Sequence, residues 1–347
     1  MKIGSIEAAK SLASLGNETI KVGVTLETGQ TATVSLPAGI SAGKYEVRSV
    51  PADEALGEIQ RVQREIVGAD WSQESLDEKL VSGHLAGNTT LGISAAFWKA
   101  QNRQVVGQTK KFPKLLLLLF EGGKHGNERI TMQEFMLVEN SLQTAVADFK
   151  KIREFLNSQG IESTVGAEGG FSPINFTNLL VLETITAVFP KRDLALDAAG
   201  SFKAGEVDYE KILRDYQIIS LEDPYGDEDW EKWKELYRKV GDKVLIVGDD
   251  LTTTNPERIE RAIREKAINV VIIKPNQNGT ITGTLAAVRL AREGGLKVIV
   301  SHRGEETEDD WIVDFALEVD ADFVKFGGMD RGERVAKYNR LLELGME

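Results

Sequence analysis

The sequence predicts an α/β protein: a closed eight-stranded β/α barrel preceded by a small α+β domain. Three observations predict it. First, six short apolar runs recur in the second half: Leu194–Asp197, Ile218–Asp223, Val244–Asp249, Val270–Lys274, Val298–Arg303 and Phe323–Lys325. The polar residues Asp197, Glu222, Asp249, Lys274, His302 and Lys325 follow one another at intervals of 23 to 28 residues. Each interval accommodates one strand, one helix and two loops, and continuous Val/Ile/Leu runs mark buried parallel strands. Second, every run ends in a charged or metal-competent residue, and β/α barrels place their active sites at the C-terminal strand ends. Third, 347 residues suffice for such a barrel and a smaller domain.

The smaller domain is expected over residues 1–112 and the barrel over 113–347. Thr19–Leu26 and Thr31–Leu36 alternate polar and apolar residues around Glu27-Thr28-Gly29-Gln30, the pattern of a hairpin. Helices are expected at about 52–67, 75–81 and 91–106. The first sets Leu56, Ile59, Val62 and Ile66 at helical spacing. Pro113 introduces the first barrel strand, 114–120, and 130–138 reads as the second. Helices follow at 141–158, with Ala145, Phe149, Ile152 and Phe155 on one face, and at 177–188. Six βα units complete the chain. Strand, strand, helix, helix, then six βα units departs from strict alternation.

A formal net charge of −12 and a pI near 5.0 disfavour nucleic acid and anionic membranes as partners. Without cysteine there are no disulfides, thiolate chemistry or Cys-ligated zinc. The longest aliphatic run, Leu115–Leu119, is too short to span a bilayer. Met1-Lys2-Ile3 leads into a mixed segment without the apolar run of a secretory signal, so a cytoplasmic location is expected.

Asp197, Glu222 and Asp249 come from three successive strand ends, so their carboxylates can meet at one point. Three oxygen anions there suit a hard cation, Mg²⁺ above all. Each taken singly reads better as a helix N-cap or a solvated strand-end carboxylate, and it is the three in register that favour a metal site. Lys274, beside a cation and desolvated, would lose affinity for its proton and could serve as a base; the alternative is a structural ion pair. Glu134 shares a period-2 face with Ile130, Met132, Met136 and Val138, and a carboxylate on an apolar face needs a partner or a task. Glu168 sits in a glycine-rich stretch that lets backbone approach a ligand closely, or forms a plain turn. His125 and His302 fall at site positions, whereas His84 reads as a surface or packing residue. Arg303 and Lys325 suit a phosphate or carboxylate, or surface ion pairs. Ser41 lies in the flexible stretch Pro37–Gly43.

These residues lie within specific motifs: Gly122-Gly123-Lys124-His125-Gly126-Asn127, Met132-Gln133-Glu134-Phe135-Met136, Gly166-Ala167-Glu168-Gly169-Gly170-Phe171, Ser220-Leu221-Glu222-Asp223-Pro224, Lys274-Pro275-Asn276-Gln277 and Ser301-His302-Arg303. Through them the chain resembles the enolase family over about Ile3 to Leu344. The resemblance implies the ββαα(βα)6 barrel order and Mg²⁺-dependent dehydration of 2-phosphoglycerate. Asp197, Glu222 and Asp249 would bind a first Mg²⁺, and Ser41 would help hold a second that arrives with substrate. Lys274 would take the C2 proton and Glu168 would protonate the departing C3 hydroxide. Lys325 would neutralise the substrate carboxylate, Arg303 would grip the phosphate, and His125, Gln133, Glu134 and His302 would complete the shell. The partner is a small phospho-acid, and the assembly a homodimer or higher homo-oligomer.

Some positions depart from the family pattern. Leu15 stands for the usual Arg in Ser14-Leu15-Gly16-Asn17, Ala167 for an Asp, and Glu121 for an Asn. Gly304 replaces a phosphate-binding serine, the loss of one charge-assisted hydrogen bond of about 1.5–3 kcal/mol. The stretches before Pro113 and at 189–193 are trimmed. Two other readings stay open: an enzyme acting on another 2-substituted carboxylate, and a catalytically weak enolase-like scaffold, which intact Glu168 and Lys274 oppose.

Overall fold

The computed structural model describes residues 1–39, 43–101, 112–200 and 207–345. β1 (Ile3–Leu12), β2 (Glu18–Leu26) and β3 (Thr31–Ser35) form an antiparallel sheet in that order, β2–β3 being the expected hairpin. β1 carries no clear sequence signal because it is an edge strand that buries only Ile3 and Ile6. Helices α1 (Ala52–Ile66), α2 (Gln73–Ser82) and α3 (Gly87–Gln101) follow. Ser72 caps α2 by accepting from the Ser75 amide. α3 begins four residues before the expected 91, and the end expected at 102–106 lies outside the described residues. Its first turn is polar yet buried, since Thr90 Oγ1 donates to the Gly279 carbonyl of the barrel at 2.7 Å.

The remaining elements are β4 (Lys114–Glu121), β5 (Glu134–Glu139), α4 (Leu142–Ser158), β6 (Ser163–Val165), β7 (Phe171–Pro173), α5 (Asn178–Val188), β8 (Leu194–Asp197), α6 (Tyr209–Asp215), β9 (Ile218–Glu222), α7 (Trp230–Val240), β10 (Leu245–Gly248), α8 (Pro256–Glu265), β11 (Val270–Ile273), the single turn α9 (Pro275–Asn278), α10 (Ile281–Glu293), β12 (Lys297–Ser301), α11 (Trp311–Glu318), β13 (Phe323–Lys325) and α12 (Gly332–Glu343). β4, β5 and β8 to β13 pair side by side, and β13 pairs with β4, which closes an eight-stranded barrel. β5 runs antiparallel to both neighbours, while the other barrel pairings are parallel. The ββαα(βα)6 order is therefore present, with one addition. β6 and β7 form a small antiparallel pair, and β7 attaches to β4 through Phe120 and Phe171. Three-residue strands are too short to carry a period-2 signal.

The second barrel strand begins at Glu134, not at the expected 130. Residues 130–133 instead fold into the loop after β4: the Ile130 amide donates to Asn127 and the Gly123 amide to the Ile130 carbonyl. Ile130 and Met132 therefore pack outside the barrel, and only Met136 and Val138 share the interior with the face of Glu134.

That interior is an apolar plug that includes Leu116, Leu118, Met136, Val270, Ile272 and Ile299. Ile272 is fully buried. Ile272→Ala is expected to destabilise the fold by about 2–5 kcal/mol, measured by urea unfolding. The antiparallel sheet and its loops rest on the C-terminal rim of the barrel. The Ser14 amide donates to Glu306 O at 2.7 Å, and Ala38 and Glu305 exchange backbone bonds at 2.8 and 3.0 Å. Among the described residues no helix is long and apolar enough to cross a membrane.

Candidate active site

Charged side chains gather at the rim above the plug. Asp197, Glu222 and Lys325 end β8, β9 and β13, while Asp249 and Lys274 directly follow β10 and β11. His302 and Arg303 follow β12. Glu134 opens β5, and because β5 is antiparallel its first residue reaches the same rim, in register with Asp197. All of these side chains except Glu222, with His125, Gln133 and Glu168, line one cleft, and Glu222 lies against it beside Glu134 and Asp197. His84 stands apart and exposed after α2. Ser41 lies outside the described residues.

Lys325 is the hub. Its buried Nζ lies 2.5 Å from Glu134 Oε2, 2.7 and 2.8 Å from the Glu222 oxygens and 3.1 Å from Asp197 Oδ2. Burial opposes its charge, but Asp197, Glu134 and Glu222 outweigh it and hold the ammonium well above the usual lysine range. Gln133 flanks the cluster, its amide donating to the Asp197 carbonyl at 2.9 Å.

Lys274 Nζ donates to Asp249. Burial alone would depress this lysine, yet the Asp249 carboxylate raises it above its ordinary value. The protein's own groups thus favour the protonated form, whereas the lowered affinity expected above is that of a lysine beside a bound cation. An opposite charge in contact outweighs burial here.

Glu168 and Glu134 form a coupled pair. Burial pushes Glu168 up, but His125, His302 and a hydrogen bond from Glu134 hold it well below the ordinary carboxylate range. Burial pushes Glu134 well above that range, more than Lys325 offsets. The two carboxyls titrate as a pair, with proton affinity raised at Glu134 and lowered at Glu168. His125 Nδ1 lies 3.3 Å from Glu168 Oε2. Arg334, which can only donate, places NH1 2.8 Å from His302 Nδ1. That nitrogen must accept, so Nε2 carries the proton and points it toward Glu168 and Glu134, 3.8 and 3.9 Å away. Burial first, then Arg334 and Lys325, keep His302 neutral despite Glu168.

Arg303 is fully engaged. Its two terminal nitrogens fork onto Glu46 at 2.9 and 3.1 Å, and NH1 also donates to Asn276 Oδ1 at 2.9 Å. Glu46 in turn accepts from the Gly43 amide at 2.7 Å, beside the segment that carries Ser41.

A family model described as the enolase C-terminal TIM barrel domain matches residues 201–347. An enolase of Desulfotalea psychrophila is 34% identical over 410 aligned residues, which cover 99% of this chain and 97% of the relative. An enolase of Beutenbergia cavernae is 33% identical over 403, covering 99% and 94%. The chain belongs to the enolase family. This places it among lyases, and the enolase family depends on Mg²⁺.

The residues present fit such an ion. Glu222 belongs to two groups, with Glu134 and Asp197 and with Asp223 and Asp249, whose candidate ligand atoms lie within 4.8 Å of one another. The donors are all carboxylate oxygens, as a hard cation requires. The same cluster already surrounds one positive charge, that of Lys325.

Several residues of this enolase-family site went unread in the sequence. Glu46 is one, since nothing local marks a carboxylate that pairs with a residue 257 positions away. Asp223 accepts from the amides of Asp249 and Asp250 at 3.1 and 2.8 Å and so fixes the Asp249 backbone. Its place beside Glu222 in a recognised motif was the available signal. Gln277 Nε2 lies 3.4 Å from Asp249 Oδ1 and also sat in a recognised motif. Arg334, on α12, gave no signal: it reads as one more charge on an amphipathic helix. Yet it is fully buried and also donates to the carbonyls of Arg303 and Gly304 at 2.6 and 2.7 Å.

Proposed function

We propose that the protein interconverts 2-phosphoglycerate and phosphoenolpyruvate, in the cytoplasm and within glycolysis or gluconeogenesis. The observation that carries this reading is the rim itself. It sets a lysine, a proton-sharing glutamate pair and an arginine fork around one carboxylate cluster. Lys274 in its neutral form takes the proton from C2. The C–H electron pair becomes the C2–C3 double bond, the C3–O bond breaks, and Glu168 delivers the proton it shares with Glu134, so that water leaves. Lys325 faces the substrate carboxylate and Arg303 the phosphate. His125, His302 and Gln133 orient these groups. Asp197, Glu222 and Asp249 would hold Mg²⁺, whose positive charge would offset charge developing on the substrate carboxylate. Residues 1–112 act as a cap over the rim, and Ser41, outside the described residues, would help hold a second Mg²⁺ that arrives with substrate. The partner is this small phospho-acid rather than nucleic acid or membrane, and the assembly is a homodimer or larger, which light scattering would measure.

Substrate scope tests the reading. A site built around a charged fork rejects an analogue that lacks its partner group, so 2-phosphoglycerate should exceed glycerate in kcat/KM by on the order of 10⁴. Comparable rates on an unphosphorylated acid would favour the alternative, a divergent enzyme for another 2-substituted carboxylate.

Glu46 gives a further prediction. Its carboxylate holds the fork that the phosphate must take. Glu46→Gln is expected to tighten binding of a phosphonate inhibitor by about tenfold, the equivalent of one charge-assisted hydrogen bond no longer displaced. Calorimetric titration checks it; weaker binding would mean that Glu46 positions Arg303 rather than competing for it.

A further inference from the structure

Glu121 ends β4 at full burial and takes no part in the proton transfers described above. Its carboxylate is nonetheless aimed at the turn that carries Glu168. Oε2 accepts from the Glu168 amide at 3.0 Å and Oε1 from the Gly170 amide at 2.7 Å. The turn is shaped to receive it. A Cβ on Gly166 would stand 2.2 Å from the Glu121 carboxyl carbon, so only glycine fits there. Gly169 adopts a φ of +88°, which brings the Gly170 amide back toward the same carboxylate. Other groups hold the rest of the turn: the Gly328 amide donates to Glu168 O at 2.9 Å, and Arg331 Nε to Gly166 O at 3.0 Å. Among the described residues, Glu121 is the one side chain with hydrogen bonds to both amides that flank the Glu168 Cα and its following turn.

We propose that Glu121 is a positioning residue that sets Glu168 for its late step, through a carboxylate clamp on the Glu168 and Gly170 amides. The inference rests on the reading of Glu168 as the group that protonates the departing hydroxide. Asparagine, usual in the family at this position, is one methylene shorter and offers one acceptor oxygen. The glutamate here reaches both amides with two acceptors. The clamp fixes the main chain on either side of Glu168 while leaving its carboxyl free to face His125 and Glu134. Buried together, the two carboxylates also feel each other: burial and then the Glu168 charge push the Glu121 carboxyl up to about 8. The hydrogen bonds from the Glu168 and Gly170 amides work against that rise.

Because Lys274 works from another strand, losing the clamp should affect the two halves of the reaction unequally. Glu121→Gln keeps the length but turns one acceptor into a donor against an amide. It is expected to lower the rate of dehydration by about 10- to 100-fold, as an ångström-scale misplacement does. Exchange of the C2 proton of 2-phosphoglycerate with solvent, and KM, should stay within about twofold of wild type on the same scale. Absorbance of the enolpyruvate product gives the first rate and proton NMR in deuterated water the second. Glu121→Asp, which keeps the charge and loses the reach, should give the same split, so the test survives if the glutamine variant does not fold. Ser172→Ala is the structural control. Ser172 Oγ donates to the Glu121 main-chain carbonyl at 3.0 Å and has no hydrogen bond to the Glu168 turn amides. Its ratio of exchange to dehydration should match wild type. Exchange and dehydration falling together in Glu121→Gln and Glu121→Asp, or neither falling, would overturn the inference. Wild-type protein that does not dehydrate 2-phosphoglycerate would instead remove the proposed function on which it rests.

Discussion

Lys274→Ala is expected to abolish dehydration and C2 proton exchange together. Lys274 follows β11, half-buried at the rim, and removing it takes away the base itself. A positioned general base contributes up to about 10⁴-fold, so the residual rate should fall by roughly that factor. Glu168→Gln should cost a similar factor in dehydration but leave exchange partly intact, because it blocks only the later loss of hydroxide. The two variants therefore separate the steps. Lys274→Ala also leaves Asp249 with one counter-ion fewer, so folding is checked by circular dichroism in the presence of Mg²⁺. Exchange surviving in Lys274→Ala but lost in Glu168→Gln would reverse the assignment of base and acid.

The second large effect concerns the metal. Asp197, Glu222 and Asp249 set three carboxyl groups against two ammonium groups, Lys325 and Lys274. Mg²⁺ is expected to bind the protein alone once, and a second time only with a phospho-acid present. Binding to the folded state stabilises by mass action, about 2.7 kcal/mol at a hundredfold excess over Kd. Chelation should accordingly lower the melting temperature as well as abolish turnover. Asp249→Asn should lose the first binding event, measured by calorimetric titration of Mg²⁺ with and without an inhibitor. Unchanged Mg²⁺ binding in that variant would place the ion elsewhere.

Much of this rim was legible in the sequence because barrel geometry puts chemistry where an apolar run stops. Asp197, Glu222 and Lys325 are the last residues of their strands, so spacing alone located them. What stayed hidden depends on contacts made across the fold. Arg334 fixes the His302 tautomer from α12, Glu46 occupies the Arg303 fork from the cap, and Glu121 reaches a turn 47 residues away. None of these has a local pattern, since hydrogen bonding to a distant backbone imposes no periodicity. The Asp249 partner of Lys274 is hidden for a related reason, because that contact belongs to the packed rim and not to the strand-end position. The edge strand β1 and the short pair β6–β7 were missed because they bury too few residues to show a face.

The central claim is that this carboxylate-lined rim removes a proton beside a carboxylate and expels water. The most direct test is the ultraviolet absorbance of phosphoenolpyruvate formed from 2-phosphoglycerate by the purified protein, with Mg²⁺ and then with excess chelator. A steady rise in absorbance with Mg²⁺ is expected, stopping on chelation and resuming when Mg²⁺ is restored. No product in saturating Mg²⁺, or full activity in excess chelator, would contradict it.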